Sequence, residues 1–297
     1  LSPHFKELQH PLLLPGGVLQ GSRAGDEDLV PLKSQQEALI DIYFRRIHPF
    51  LPLLGEDETR SQSASGTIPL RLLQSFCLTA FKDKSAAPSL NLGADPTVLP
   101  PERFSGLIYA AILNNLPRKE ERRVLTNPIL ALLSLHGWGP HGCEDSTFML
   151  SQAVHHSHTL GFHLARPGKA PSKSSRALFW CLWSLDRWSA AVNGRLLMIH
   201  DCDICQEAAD VLPLFQPSFR IWLRIAEQLG WVIRSCRPVM AGNQTEQDPE
   251  LCSFEEIVEA SKGWGTSDEI LGPLELFHHA IIILSTHSKG LQGRSRF

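Results

Sequence analysis

The feature that most constrains the fold is the run FWCLWSLDRWSAAV at residues 179–192, where an acid and a base interrupt an otherwise apolar segment. Apolar residues recur on most sides of a helix drawn through this run, which predicts a largely buried helix. The apolar positions are Phe179, Trp180, Leu182, Trp183, Leu185, Trp188 and Val192. Unpaired buried charges are costly, so Asp186 and Arg187 should each find a partner, the guanidinium in a bidentate pair with a carboxylate. Such pairing would fix the register between helices.

Helical spacing continues along most of the chain, because apolar residues recur at intervals of three and four and few runs alternate strictly. Proline and glycine divide these segments, and Asn193 with Gly194 tolerates the positive φ at which a helix can end. We predict an all-α fold, a multi-helix array of antiparallel helix pairs in a single large domain. Beside the buried helix, the predicted helices are 34–48, 68–81, 104–112, 129–135, 148–160, 215–239, 254–262 and 273–289, with loops at 55–67, 82–102, 165–175 and 241–250.

The chain divides into three parts. Near its start the run LLLPGGVLQGSRAGDED contains too many helix breakers for one element, so residues 1–33 are predicted to be a flexible lead-in. Residues 34–290 form the domain, and 291–297 form a C-terminal tail. The chain opens on Leu1 and shows no signal peptide, which leads us to expect a fragment or a processed form.

Composition excludes several classes of protein. A net charge of −3 and a pI near 6.5 argue against a nucleic-acid-binding unit acting by itself, since such units carry a clustered basic excess. No apolar run approaches the roughly 20 residues that span a bilayer, so no membrane partner is expected. Seven scattered cysteines are not a disulfide scaffold and favour a reducing, intracellular compartment.

Two groups of potential metal ligands occur. Cys202 and Cys205 have the spacing of half a zinc site, but no second pair follows, so we interpret both as structural or incidental cysteines. His155, His156 and His158 form a cluster in which the first and last share a helix face. Two imidazoles bind a metal only with further ligands, so we interpret the cluster as a polar helix face.

Enzyme motifs are not found in this sequence. There is no Gly-x-Ser-x-Gly elbow, no phosphate loop and no aspartate-rich run; Asp201 and Asp203 are the nearest approach to a magnesium pair, beside His200. We therefore predict that the protein is not an enzyme and name no catalytic, cofactor-binding or metal-binding residue. A helical enzyme of secondary metabolism is the alternative, and it requires Asp201, Asp203 and His200 to converge. A dimerising scaffold is a third hypothesis.

The same residues carry a family resemblance. The run SRALFWCLWSLDRW at 175–188, then NGR at 193–195 and IHDCDI at 199–204, resembles the signature of the fungal-specific transcription factor domain. Four further segments match that family in order, and the resemblance runs from about residue 35 to about residue 289. They are YFRRIHPFLP at 43–52, ALLSLHGW at 131–138, a helix from Met149 to His163, and LELFHHAIIIL at 274–284. Leu196 departs from the proline that the family usually has, and 55–87 matches poorly.

The resemblance implies a non-enzymatic regulatory domain in a nuclear regulator of RNA polymerase II transcription. The family uses this domain, also called the middle homology region, for restraint of activation, effector response or partner contacts. Its six-cysteine zinc cluster, which binds DNA, is absent from this sequence, because seven cysteines spread from 77 to 252 cannot supply that compact spacing. Zinc and DNA contact are thus expected only through a separate module. A small-molecule effector, a homodimer or transcriptional co-regulators are the expected partners.

Overall fold

The computed structural model shows an all-α protein, as the helical spacing predicts. It describes residues 29–93, 95, 97–116, 123–137, 142–164, 171–206, 211–235 and 251–294, with side chains as far as 286. The α-helices are α1 (Lys33–Arg46), α2 (Glu56–Ser65), α3 (Leu70–Ala80), α4 (Pro101–Asn114), α5 (Arg123–Leu133), α6 (Gly142–Leu160), α7 (Lys173–Asn193), α8 (Pro217–Ser235), α9 (Phe254–Ala260) and α10 (Asp268–Arg294). Short 3-10 helices occupy Lys84–Ser89, Asp201–Asp203 and Leu212–Leu214.

The helices pack around one cluster of buried apolar side chains that extends from Leu39 to Ile281. In the first half, α3 contacts α1, α4 and α5. In the second half, α6 packs on α5 and α7, while α8 packs on α7 and α10. The helix with the embedded acid and base therefore lies between α6 and α8, near the middle of the protein.

Both ends of α7 have residues suited to helix termini. Ser172 accepts a hydrogen bond from the backbone N–H of Ser175, which satisfies one of the free donors of the first turn. Gly194 has φ +61°, and its N–H binds the carbonyl of Ala190. The left-handed conformation of this glycine ends the helix, which confirms the prediction made from Asn193-Gly194.

The predicted loop at 55–67 is wrong, because most of it forms α2. This helix is polar, and Thr59 is its only buried residue, so it has no apolar face for a periodicity argument to find. Its first turn carries three acidic residues, Glu56, Asp57 and Glu58, which favour a helix N-terminus electrostatically. Gly66, with φ +69°, ends it.

Several other boundaries differ from the sequence prediction. Helices α4, α5, α6 and α10 begin three to six residues earlier than predicted. Helix α4 begins on a proline and α6 on a polar turn, while α5 and α10 contain Pro128 and Pro273, at which a helix is expected to break. Helix α10 continues to Arg294, beyond the predicted boundary of the tail. Leu29 and Val30 also accept hydrogen bonds, from Gln74 and Gly93, so the end of the predicted lead-in contacts the domain. Residues 1–28, 165–170, 241–250 and 295–297, which include parts of predicted loops and tails, lie outside the described residues.

Burial along α7 agrees with the prediction except near its end. Trp180 and Trp183 are buried, and Trp188 is partly buried, stacked on Trp222 of α8 with ring centroids 5.4 Å apart. Val192 was wrongly predicted to be buried and is 76% exposed. It lies in the last turn, where the helix leaves the core. None of the described helices combines the length and the apolar character that a membrane crossing requires.

Candidate ligand cavity between α7 and α8

Asp186 and Arg187 are the only Asp, Glu, Lys or Arg side chains that are buried among the described residues. The Asp186 carboxylate accepts hydrogen bonds from the backbone N–H groups of Met198, at 2.9 and 3.1 Å, and of Ile199, at 2.9 Å. Burial raises the pKa of Asp186, and the two N–H donors oppose that shift. The acid thus binds the segment after α7 back onto the helix.

Arg187 binds a carboxylate, but not in the bidentate pair that was predicted. Its Nη2 donates to Oδ1 of Asp201, whereas its Nη1 donates to the carbonyl of Trp183 at 3.1 Å. The second nitrogen is used within the helix because the guanidinium lies over the Trp183 ring, 3.5 Å from the centroid. Burial lowers the pKa of Arg187 to about 10, opposed by Asp201 and Asp186, so the group remains charged at neutral pH.

Asp201 joins three elements through one carboxylate. Its Oδ1 also accepts from Trp183 Nε1 at 2.9 Å, and its Oδ2 accepts from Nη1 of Arg234 in α8 at 2.8 Å. Burial alone would raise the pKa of Asp201, but Arg187, Trp183 and Arg234 outweigh it and lower that pKa. The sequence suggested Asp201 only as half of a weak magnesium pair. No local sequence pattern indicates that Asp201 binds Arg187, because 14 residues separate the two.

Two further contacts hold α8 against α7. Trp222 Nε1 donates to Ser184 Oγ at 2.8 Å, inside the core. At Gly230 a Cβ atom would lie 3.1 Å from Arg187 Nε, so the absence of a side chain lets the helices approach at the buried charge. We call these contacts, together with the Asp201–Arg234 ion pair and the Trp183–Asp201 hydrogen bond, the α7–α8 interface.

A cavity of about 640 Å³ opens beside this interface. Its walls contain Trp180 and Trp183 of α7, Trp231 of α8, and aliphatic side chains that include Val211 and Leu212. Volumes of this size are typical of small-molecule sites. The polar groups of the wall are those of Gln206, Arg224 and Glu227, together with Arg187, Asp201 and Arg234 described above. The arrangement can bind a molecule that has both an apolar part and a polar group.

Three donors of wall residues have no hydrogen-bond partner. They are Nε1 of Trp180, which is only 7% exposed, Nε of Arg187 and Nε of Arg224. Arg187 is held by Asp201 through another nitrogen, whereas Arg224 makes no hydrogen bond or ion pair within the described parts of the chain. Buried donors are nearly always satisfied in folded proteins, so an acceptor on a bound molecule would complete these groups.

The other sequence candidates do not line the cavity. Cys202 and Cys205 are exposed free thiols. His155 is exposed, and the half-buried His158 contacts His163, with ring centroids 5.0 Å apart. His156 is half-buried, and His200 and Asp203 are exposed. Where side chains are described, no group of three or more His, Cys, Asp or Glu residues has the geometry to hold a metal ion.

Comparisons with known proteins gave no match to this chain, whether against protein-family models, curated proteins or solved structures. The family resemblance therefore rests on the sequence motifs alone.

Proposed function

We propose that this chain is the regulatory domain of a fungal transcription factor that controls RNA polymerase II transcription in the nucleus. DNA binding would be supplied by a zinc-cluster module, and zinc would be required only there. The domain would act by population shift: an effector in the α7–α8 cavity binds one packing of the helices better than another.

One observation carries this proposal. The two halves of the signature, LDR at 185–187 and IHDCDI at 199–204, contact each other through Asp186 with Ile199 and through Arg187 with Asp201. Residues that the resemblance treats as one motif are thus one physical unit, although a helix end and a turn separate them. This unit forms part of the cavity wall, so a bound molecule would contact the motif directly.

A reporter assay tests the proposal. The chain is fused to a heterologous DNA-binding module with an activation segment and expressed in a fungal strain that carries the matching reporter gene. We expect transcription to change several-fold relative to the module without the chain. The same chain expressed unlinked is the control and should leave the reporter unchanged. Equal reporter output with and without the fused chain would contradict the proposal.

The helical enzyme alternative gains no specific support. It requires Asp201 to face a metal or a substrate, whereas both of its carboxylate oxygens accept hydrogen bonds from Trp183, Arg187 or Arg234. Asp203 and His200 are exposed and do not line the cavity. A regulatory domain remains the proposal that these contacts favour.

A further inference from the structure

The wall of the α7–α8 cavity indicates what kind of molecule would occupy it. Three tryptophan rings, Trp180, Trp183 and Trp231, line it together with aliphatic side chains. Indole faces pack well against flat apolar groups, through dispersion and through offset or edge contacts between rings. The apolar part of an occupant is therefore expected to be flat.

The charged groups of the wall are not balanced. Three guanidinium groups, of Arg187, Arg224 and Arg234, face two carboxylates, of Asp201 and Glu227, which leaves one positive charge. Asp201 already serves both Arg187 and Arg234. Glu227 is exposed, so water screens it. The excess positive charge favours an anion, and a cationic ligand would be repelled.

The unpartnered donors narrow the chemical class of the anion. Nε1 of Trp180 and the Nε atoms of Arg187 and Arg224 lack acceptors, and a carboxylate offers two oxygens with about four acceptor positions. A pure hydrocarbon would leave all three donors unsatisfied. A multiply charged phosphate ester would exceed the single positive charge and would meet indole rings where it needs further donors.

From these observations we infer that the cavity binds a flat, mostly apolar molecule with one carboxylate, which accepts hydrogen bonds from Arg224 and Trp180. The inference rests on the proposed function in treating the occupant as an effector. Arg224 is a binding residue that the family resemblance does not indicate, because it lies in α8, outside every matched motif.

Pyrenebutyric acid and its neutral amide are suitable probes, because they share one flat ring system and differ only in the carboxylate. Binding to the whole chain is followed by energy transfer from tryptophan to pyrene. We expect the acid to bind about tenfold more tightly than the amide, as a charge-assisted contact in a partly desolvated site gives. Equal affinities, or no binding of either probe, would overturn the inference.

Arg224→Gln locates the contact. Arg224 binds no other side chain, so the variant should fold normally, which circular dichroism checks. We expect it to lose about tenfold in affinity for the acid and to keep its affinity for the amide. Arg60→Gln makes the same charge change outside the cavity and should bind both probes as wild type. An equal loss in the two variants would show that net charge, rather than the cavity, attracts the acid.

The reporter assay separates this inference from the proposed function. Preference for the acid in a chain that leaves the reporter unchanged would overturn the transcriptional role and keep the ligand site. A reporter response in a chain that binds neither probe would keep the role and overturn the ligand class.

Discussion

Helices pack on one another in different ways in two regions of the protein. The core around α1 and α3 is held by aromatic side chains, whereas the α7–α8 interface also contains charged groups. Between α1 and α3, Tyr43, Phe44 and Phe76 pack with ring centroids 4.7 to 6.2 Å apart, and no charged side chain is buried with them. At the α7–α8 interface Arg187 is buried next to Asp186, the Asp201 carboxylate binds two arginines, and a cavity lies beside them.

The two regions therefore differ in what their side chains contribute to the protein. Apolar packing stabilises a fold without further requirement, whereas a buried ion pair often gives no net stability compared with apolar residues of equal volume. The charges of the α7–α8 interface are therefore better explained by the contacts they make: through Asp201 they join α7 to α8, and they supply charged groups to the cavity wall. The following changes test this contrast, from the largest expected effect to the smallest.

Truncation of one aromatic side chain in each region should cost similar stability. Trp183→Ala and Phe76→Ala each remove a ring from a buried site, at 6% and 0% exposure, and should each lower the free energy of unfolding by about 3 to 5 kcal/mol. Denaturant titration measures both. Only Trp183→Ala should also weaken probe binding, because Trp183 lines the cavity. A loss below about 1 kcal/mol for Trp183→Ala would contradict its burial.

Removal of the Asp201 charge should have the next largest effect. Asp201→Asn keeps the shape of the side chain and one acceptor oxygen, but Arg187 loses its charged partner. We expect the free energy of unfolding to fall by about 1 to 3 kcal/mol at neutral pH, as for hydrogen bonds to charged groups. Urea titration of wild type and variant at several pH values measures it.

The stability difference between wild type and Asp201→Asn should depend on pH, because the pKa of Asp201 is lowered in the folded state. A carboxyl whose pKa is lower in the folded state stabilises the fold above its unfolded pKa of about 3.9, and that stability is lost as pH falls through the folded value. The gap between wild type and variant should therefore narrow below about pH 4. The raised pKa of Asp186 acts in the opposite direction but is common to both proteins. A gap that stays constant in acid would contradict the ion pair.

Local pattern predicted the fold class and the buried acid and base, because both depend on residues close in sequence. It missed α2, since a polar helix with one buried residue lacks the apolar spacing on which the prediction depends. It also missed the site. Arg224, Trp231 and Arg234 join the cavity only because α8 packs on α7, and that contact is not encoded in any short motif. The bidentate pair failed for a similar reason, since the Trp183 ring and carbonyl compete for the guanidinium.

Two glycine-to-alanine substitutions, at Gly230 in the α7–α8 interface and at the exposed Gly106 of α4, should change stability in opposite directions. Gly230→Ala places a Cβ 3.1 Å from Arg187 Nε, and Arg187 cannot move without losing Asp201. Overpacking of about 1 to 3 kcal/mol should exceed the gain of about 1 kcal/mol from helix propensity. Gly106→Ala in α4 meets no atom within 4 Å and should gain about 1 kcal/mol. Thermal unfolding compares them, and a gain in Gly230→Ala would show that the helices do not approach as closely as described.

The smallest effect separates surface ion pairs from interface ion pairs. Arg60 joins α1 to α2 through Asp41, at 2.6 Å, and Glu56, at 2.8 Å, while Arg234 binds Asp201 at 2.8 Å and lies over the Trp231 ring. Arg60→Gln and Arg234→Gln should each cost about 1 kcal/mol or less at low salt.

Salt should then distinguish the two variants, because the Debye length falls to about 3 Å at 1 M and exposed pairs are screened most. The Asp201 side chain is 46% exposed and contacts Trp183 and the buried Arg187, whereas Asp41 is 59% exposed. Urea titrations in low and high salt should therefore show the cost of Arg60→Gln vanish while part of the cost of Arg234→Gln persists. If high salt abolishes the loss of stability in both variants, the Arg234–Asp201 pair is screened as fully as the surface pairs of Arg60. The contrast between the two regions would then be confined to their buried residues.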